Sequence, residues 1–160
     1  MTKFKYILFI LFLHANMNTF AGYAPTFVQD SLKVLYPSVN AIGWSTDLNY
    51  YVASFQHNGF NMKVWLDSKG HWVMKQTDWQ VMDEVPTSVW HTFTFGPYST
   101  DEVNDVTFVE FSHHPSQIVI LISIPNSLTQ YQLFYTPEGT LINARNVTYM
   151  SNILGASTFL

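Results

Sequence analysis

The 160-residue chain contains no cysteine. That absence excludes disulfides, thiol nucleophiles, zinc held by thiolates and lipid attachment at a bacterial lipoprotein cysteine, so stability has to come from packing. Charge is scarce as well. Only 11% of residues are Asp, Glu, Lys or Arg, with 7 basic against 11 acidic, and the phosphates of a nucleic acid have no basic face to meet. Long apolar runs are limited to Ile7–Leu13, too short to cross a bilayer as a stable helix. Glycine-rich phosphate loops and nucleophile elbows are absent too, because Gly59, Gly70 and Gly139 are all accounted for by turns.

What is present is apolar and aromatic. Hydrophobic residues make up 48% of the chain and aromatics 17%, including thirteen Phe and nine Tyr, a composition that suits pleated sheet better than a helical bundle. The opening MTKFKYILFILFLHANMNTFAG sets Lys3 and Lys5 before the apolar run and ends in small residues, the layout of a secretory signal peptide over 1–21. A retained anchor is the alternative, disfavoured by the shortness of the run. Thr19 and Ala21 would flank the cleaved bond, and Gly22 would begin the mature chain. Loss of Lys3 and Lys5 leaves 5 basic residues against 11 acidic, so the formal net charge moves from −4 to −6. The mature protein is expected to be periplasmic or secreted, without stable membrane insertion.

In APTFVQDSLKVLYP, Val28, Leu32 and Leu35 fall on one helical face, Thr26 with Gln29 fits a capping box and Pro37 ends the segment. The period then changes to two. Asn58-Gly59 is the preferred pair for a two-residue hairpin. It aligns His57 with Phe60, Phe55 with Met62, Ala53 with Val64 and Val52 with Trp65. In VWLDSKGHW, Asp67-Ser68-Lys69-Gly70 signals a second turn. A symmetric closure pairs Leu66 with His71 and Trp65 with Trp72, so that the two tryptophans face each other. Alternation sends Tyr51, Ala53, Phe55, Met62, Val64, Leu66 and Val73 toward the helix, and Val52, Ser54, Lys63, Trp65, Trp72 and Met74 away from it.

A shift of 69 residues lays VWLDSKGHWV over LFYTPEGTLI and Tyr51–Phe55 over Ile120–Ile124, so that Trp65 corresponds to Phe134 and Trp72 to Leu141. Upstream, Pro86 suits a first helical position, Val89 and Phe93 share a face, and Val106–Phe111 reads as a strand. The expectation is an α+β fold: a tandem repeat of one helix plus a four-stranded antiparallel sheet, helices on one face. The first repeat spans 22–84, the second 85–145 and a C-terminal tail 146–160.

The run from Phe27 through Tyr36-Pro37, Ile42, Trp44, Tyr51–Phe55, Asn58-Gly59 and VWLDSKGHW, with a second copy opening at Val85-Pro86, resembles the PepSY-like proteins related to the β-lactamase-inhibitor protein, a signal-bearing envelope family of the Bacteroidetes type. The resemblance covers about 26–145. It implies antiparallel sheets with helices on one side and an exposed, concave, aromatic sheet surface that grips a partner on the other. Trp65, Trp72 and Phe134 would map onto that surface. It carries over no catalytic residue, and inhibition of a β-lactamase does not follow, because the inhibitor's disulfides have no counterpart here.

Reactive chemistry has few candidates. His113-His114 point to opposite faces if in a strand, and lack further ligands at metal spacing. His57 and His71 fall at hairpin ends. Asp101, Glu102 and Asp105 read as a solvated loop, with weak calcium contact as the sharper alternative. Asn146-Val147-Thr148 matches a glycosylation sequon without consequence in a bacterial protein. We therefore expect no enzyme, no cofactor and no resident metal. The expected role is binding of a protein or peptide, inhibition being one form of it, through Trp65, Trp72, Phe134, Val52 and Lys63. A small-ligand or glycan-binding envelope protein is the alternative. The competing structural reading is that the tail NVTYMSNILGASTFL, or the other repeat, covers the tryptophans.

Overall fold

Proline opens both longer helices. The computed structural model describes residues 23–79, 84–150 and 153–160; the expected signal peptide lies outside the described residues. Helix α1, Thr26–Leu35, has Pro25 at its N-cap and buries Val28 and Leu32. The expected capping box does not form, because Gln29 Nε2 donates instead to the Ala24 carbonyl at 2.7 Å. Leu35 stays exposed, so the buried stripe is one turn shorter than the spacing suggests. Helix α2, Thr87–Thr94, has Pro86 at its N-cap rather than at its first helical position and buries Val89 and Phe93. A single turn, α3, Ala156–Phe159, closes the chain.

Eight strands run in chain order: β1 Gly43–Asp47, β2 Tyr50–His57, β3 Phe60–Leu66, β4 Trp72–Asp78, β5 Glu102–Phe111, β6 Gln117–Ser123, β7 Gln130–Tyr135 and β8 Leu141–Asn146. All pair antiparallel with their sequence neighbours. The outcome is one continuous eight-stranded sheet, not two four-stranded ones. β4 pairs with β5 from Met74↔Phe111 to Asp78↔Thr107, which removes the edge that each four-stranded unit would otherwise expose.

The Asn58-Gly59 hairpin forms in the expected register, with Asn58 at φ 50 and Gly59 at φ 86. The turn after Leu66 departs from expectation. Asp67 Oδ1 accepts the amides of Lys69 at 2.8 Å and His71 at 2.9 Å, and the Asp67 amide donates to the His71 carbonyl at 2.9 Å. A register shift follows, so that Leu66 lies opposite Trp72 and Trp65 opposite Met74. The extra residue is Val73, as in a β-bulge. Trp65 and Trp72 are therefore not partners, and they lie on opposite faces: Trp72 joins the helix side and Val73 the other, the reverse of the expected assignment.

Two cores share the helix side. Val28 and Leu32 pack with Ala53, Phe55, Met62, Val64 and Leu66; Val89 and Phe93 pack with Val106, Ile118, Ile120, Ile122, Leu133 and Tyr135. The register carries one face across the join, since Ala53, Val64, Lys75 and Glu110 are successive cross-strand neighbours. Gly139, at φ +94, lets its hairpin approach α2 closely; a Cβ there would lie 2.5 Å from the Ser88 carbonyl oxygen. Helix α3 does not join α1 and α2. Ala156 and Phe159 pack on the opposite face, so the expectation of helices on one face fails there.

Candidate functional site

Alternation fixes what the second face presents. Val52, Trp65, Met74, Val109, Val119 and Phe134 form a third buried cluster there, and Ala156 of the tail is a member of it. Trp65 is 2% exposed, Val52 4% and Phe134 6%. The tail accounts for this burial. The Phe159 ring meets Phe111 at 5.4 Å and Phe134 at 5.9 Å between centroids. Asp47 Oδ2 accepts both the Trp65 indole N–H at 2.8 Å and the Ala156 amide at 2.6 Å. Gln76 Nε2 donates to the Leu154 carbonyl at 3.1 Å. Each of these bonds satisfies a polar group that would be costly to bury alone.

Of the five residues expected at a binding surface, Val52, Trp65 and Phe134 are thus brought together and capped by the chain's own tail. Trp72 is elsewhere, on the helix side, with Lys75 Nζ 4.3 Å from its ring centroid and that ammonium 3.6 Å from Glu110 Oε1. Lys63 stays exposed on the second face, between Ser54 and Gln76.

Beside the tail the same face stays open. A groove of about 780 Å³ is lined by residues 38–41, by Ile153 and Leu154 of the tail and by polar side chains of the sheet. Its floor is a polar network: Gln56 Nε2 donates to Asn61 Oδ1 at 3.2 Å, Asn61 Nδ2 to Asp78 Oδ2 at 3.4 Å, and Thr107 Oγ1 to Asp105 Oδ2 at 3.3 Å. Burial and the neighbouring Asp78 charge hold the Asp105 carboxyl above its ordinary range. A second groove, about 530 Å³, also runs along the tail and includes Asp47, Arg145 and Thr158; Ser54, Lys63, Ile153 and Leu154 border both.

Asp47, Gln76 and Asp78 are the site residues that sequence reasoning missed. Asp105, expected in a solvated loop, lies within β5, where the register shifts between Val103 and Asp105. The available signal was the alternation Asp105, Thr107, Val109, which puts all three on one face of a strand. Among the described residues, no three His, Asp or Glu side chains lie close enough to hold a metal ion. His71 Nδ1 faces Asp67 Oδ2 at 3.3 Å, and His114 sits edge-on to Phe111 at 6.3 Å. No described helix is long and apolar enough to cross a membrane.

Comparison with solved structures finds a DUF2874 family protein of Bacteroides uniformis at 48% identity, with a TM-score of 0.84, matching 86% of this chain and 100% of the other. The chain belongs to the DUF2874 family. A second family member, from Bacteroides ovatus, is 45% identical over 85% of this chain and 96% of its own, with a TM-score of 0.82. A protein of Bacteroides eggerthii assigned provisionally to the periplasm is also 45% identical, over 87% of this chain and all of its own, at 0.83. More distantly, this DUF2874 chain resembles a BLIP-like protein of Bacteroides fragilis, 29% identical over 83% of this chain and 94% of the other, at 0.75. These structures bear out the β-lactamase-inhibitor-like part of the resemblance and lend nothing to the PepSY-like part. No family model matches the sequence, and no curated protein does.

Proposed function

We propose that the protein is an exported, periplasmic or secreted, non-enzymatic binding protein that engages a protein or peptide through the second face of its sheet. The observation that carries this is the open groove of about 780 Å³, floored by Gln56, Asn61, Asp78 and Thr107 and bordered by Lys63. A strand face of a stable scaffold that spends this many polar side chains beside an aromatic cluster suits recognition of a peptide backbone and its flanking charges. Export is supported by the opening residues and by the relative assigned provisionally to the periplasm. The BLIP-like relative supports the surface, not a target, since related folds host unrelated functions.

The tandem-repeat reading belongs to the same proposal. Its support is that the bulge at Trp65/Leu66 recurs at Phe134/Tyr135, 69 residues on, and that each helix packs on its own four strands.

The test is cross-linking in envelope extract with the wild-type chain, Lys63→Glu and Asn61→Arg. Loss of the same cross-linked species in both variants is expected; equal recovery from all three sinks the groove as the binding surface. A glycan or other small ligand is the second reading, favoured by a volume within the range of small-molecule sites. Binding to an oligosaccharide panel, lost in Asn61→Arg, would select it.

A further inference from the structure

The residues that plug the aromatic cluster are held in the manner of a bound linear peptide. Leu154 offers its carbonyl to Gln76. Gly155 passes so close to Asp47 that a Cβ would lie 2.8 Å from Oδ2. Ala156 is 0% exposed and donates its amide to that same oxygen. One helical turn follows, closed by Thr158 N–H to the Gly155 carbonyl at 3.0 Å and Leu160 N–H to the Ala156 carbonyl at 2.7 Å. That turn sets Phe159 three positions after Ala156, against Phe111 and Phe134. Upstream of it, Tyr149 is 91% exposed, and Met150 and Ile153 are exposed as well.

We propose that this part of the second face is a peptide receptor whose ligand pattern is glycine, a small residue and an aromatic three positions after it. Leu154–Leu160 is its tethered resident copy, and a partner protein bearing the same pattern displaces it. The receptor reads backbone through Gln76 and Asp47, excludes side chains at the glycine, admits only a small residue next and takes the ring between two phenylalanines. A tether gives the resident segment an effective concentration on the order of millimolar, so a partner must bind tightly or bring contacts in the neighbouring groove, which Leu154 borders. The inference rests on the second face being a binding surface. The two fail separately, because the groove is tested by variants of Lys63 and Asn61 and the receptor by variants of the tail.

The experiment uses the full chain and a fluorescent peptide, NILGASTFL, in trans. Gly155→Ala drives a methyl group into the Asp47 carboxylate, which two hydrogen bonds hold in place, and should release the tail. Its affinity for the peptide should exceed that of the wild-type chain at least tenfold, and a peptide with alanine in place of phenylalanine should not bind. Phe159→Ala, which leaves Asp47 untouched, is the second releasing variant and should behave alike if Gly155→Ala does not fold. Equal affinity of wild type and both folded variants, or binding that ignores loss of the phenylalanine, overturns the proposal. A dimer of the wild-type chain that peptide dissociates also overturns it, since the face would then serve a second copy.

Discussion

Asp47 Oδ2 accepts the indole N–H of Trp65 at 2.8 Å across two strand boundaries, from β1 to β3. The same oxygen takes the Ala156 amide, so one carboxylate ties the sheet floor to the tail. Asp47→Ala leaves two donors without an acceptor, one on a tryptophan that is almost fully buried. The expected loss is about 3 kcal/mol, against about 1 kcal/mol for Asp47→Asn, which keeps an acceptor. Urea denaturation measures both. Equal losses would mean that the charge, rather than the acceptor, holds the tail.

Three glycines with positive φ separate strain from collision. At Gly59 nothing lies within 4 Å of an added Cβ; at Gly70 the Ser31 hydroxyl would lie at 2.6 Å; at Gly139 the Ser88 backbone carbonyl would lie at 2.5 Å. A hydroxyl can rotate away, and a backbone carbonyl at the start of α2 cannot. Alanine should therefore cost about 1 kcal/mol at Gly59, slightly more at Gly70 and at least about 3 kcal/mol at Gly139. Thermal or urea melts of the three variants give the order directly, and a Gly139→Ala as mild as Gly59→Ala would deny the close approach of hairpin and helix.

Legibility in the sequence followed the locality of the physics. The Asn58-Gly59 turn has two central residues and no room for an alternative register, so Val52↔Trp65 could be read off the chain. The Asp67–Gly70 turn signal was equally plain, but whether Val73 enters the ladder or bulges depends on how Asp67 and His71 close the loop. That single residue moved Trp72 to the helix side. The 69-residue spacing pointed to two separate four-stranded units, whereas the pairing of β4 with β5 that joins all eight strands into one sheet is tertiary and carries no local mark. The apolar tail is legible as a candidate cover for Trp65, yet its anchors, Asp47 and Gln76, sit over 70 residues away in the chain.

Asp105 should make stability depend on pH. Burial and the adjacent Asp78 charge raise its carboxyl above 3.8. A carboxyl raised in the folded state binds its proton more tightly there than when unfolded, so ionisation costs stability. The cost is absent below the unfolded value, grows as pH rises toward the folded value and persists at neutral pH. Asp105→Asn keeps an oxygen for the Thr107 hydroxyl and removes the charge. It should be more stable than wild type at pH 7, with the difference vanishing near pH 3. A difference independent of pH would assign the effect to packing.

The two tryptophans offer a test of the bulge itself. Trp65 packs with Val52, Met74 and Phe134 on the second face, while Trp72 is half-buried on the helix side beneath Lys75. Trp65→Ala empties a closed site and should cost about 4 kcal/mol, in the range for large-to-small changes in cores. Trp72→Ala gives up less buried area, and about 1.5 kcal/mol is expected. Since the two side chains share no packing cluster, the double variant should lose the sum, with a coupling energy below about 0.5 kcal/mol. Directly opposed aromatics in a regular hairpin would instead couple by up to about 1 kcal/mol. A double-mutant cycle by urea denaturation discriminates between the registers, and a coupling near the upper value would restore Trp72 to the face of Trp65.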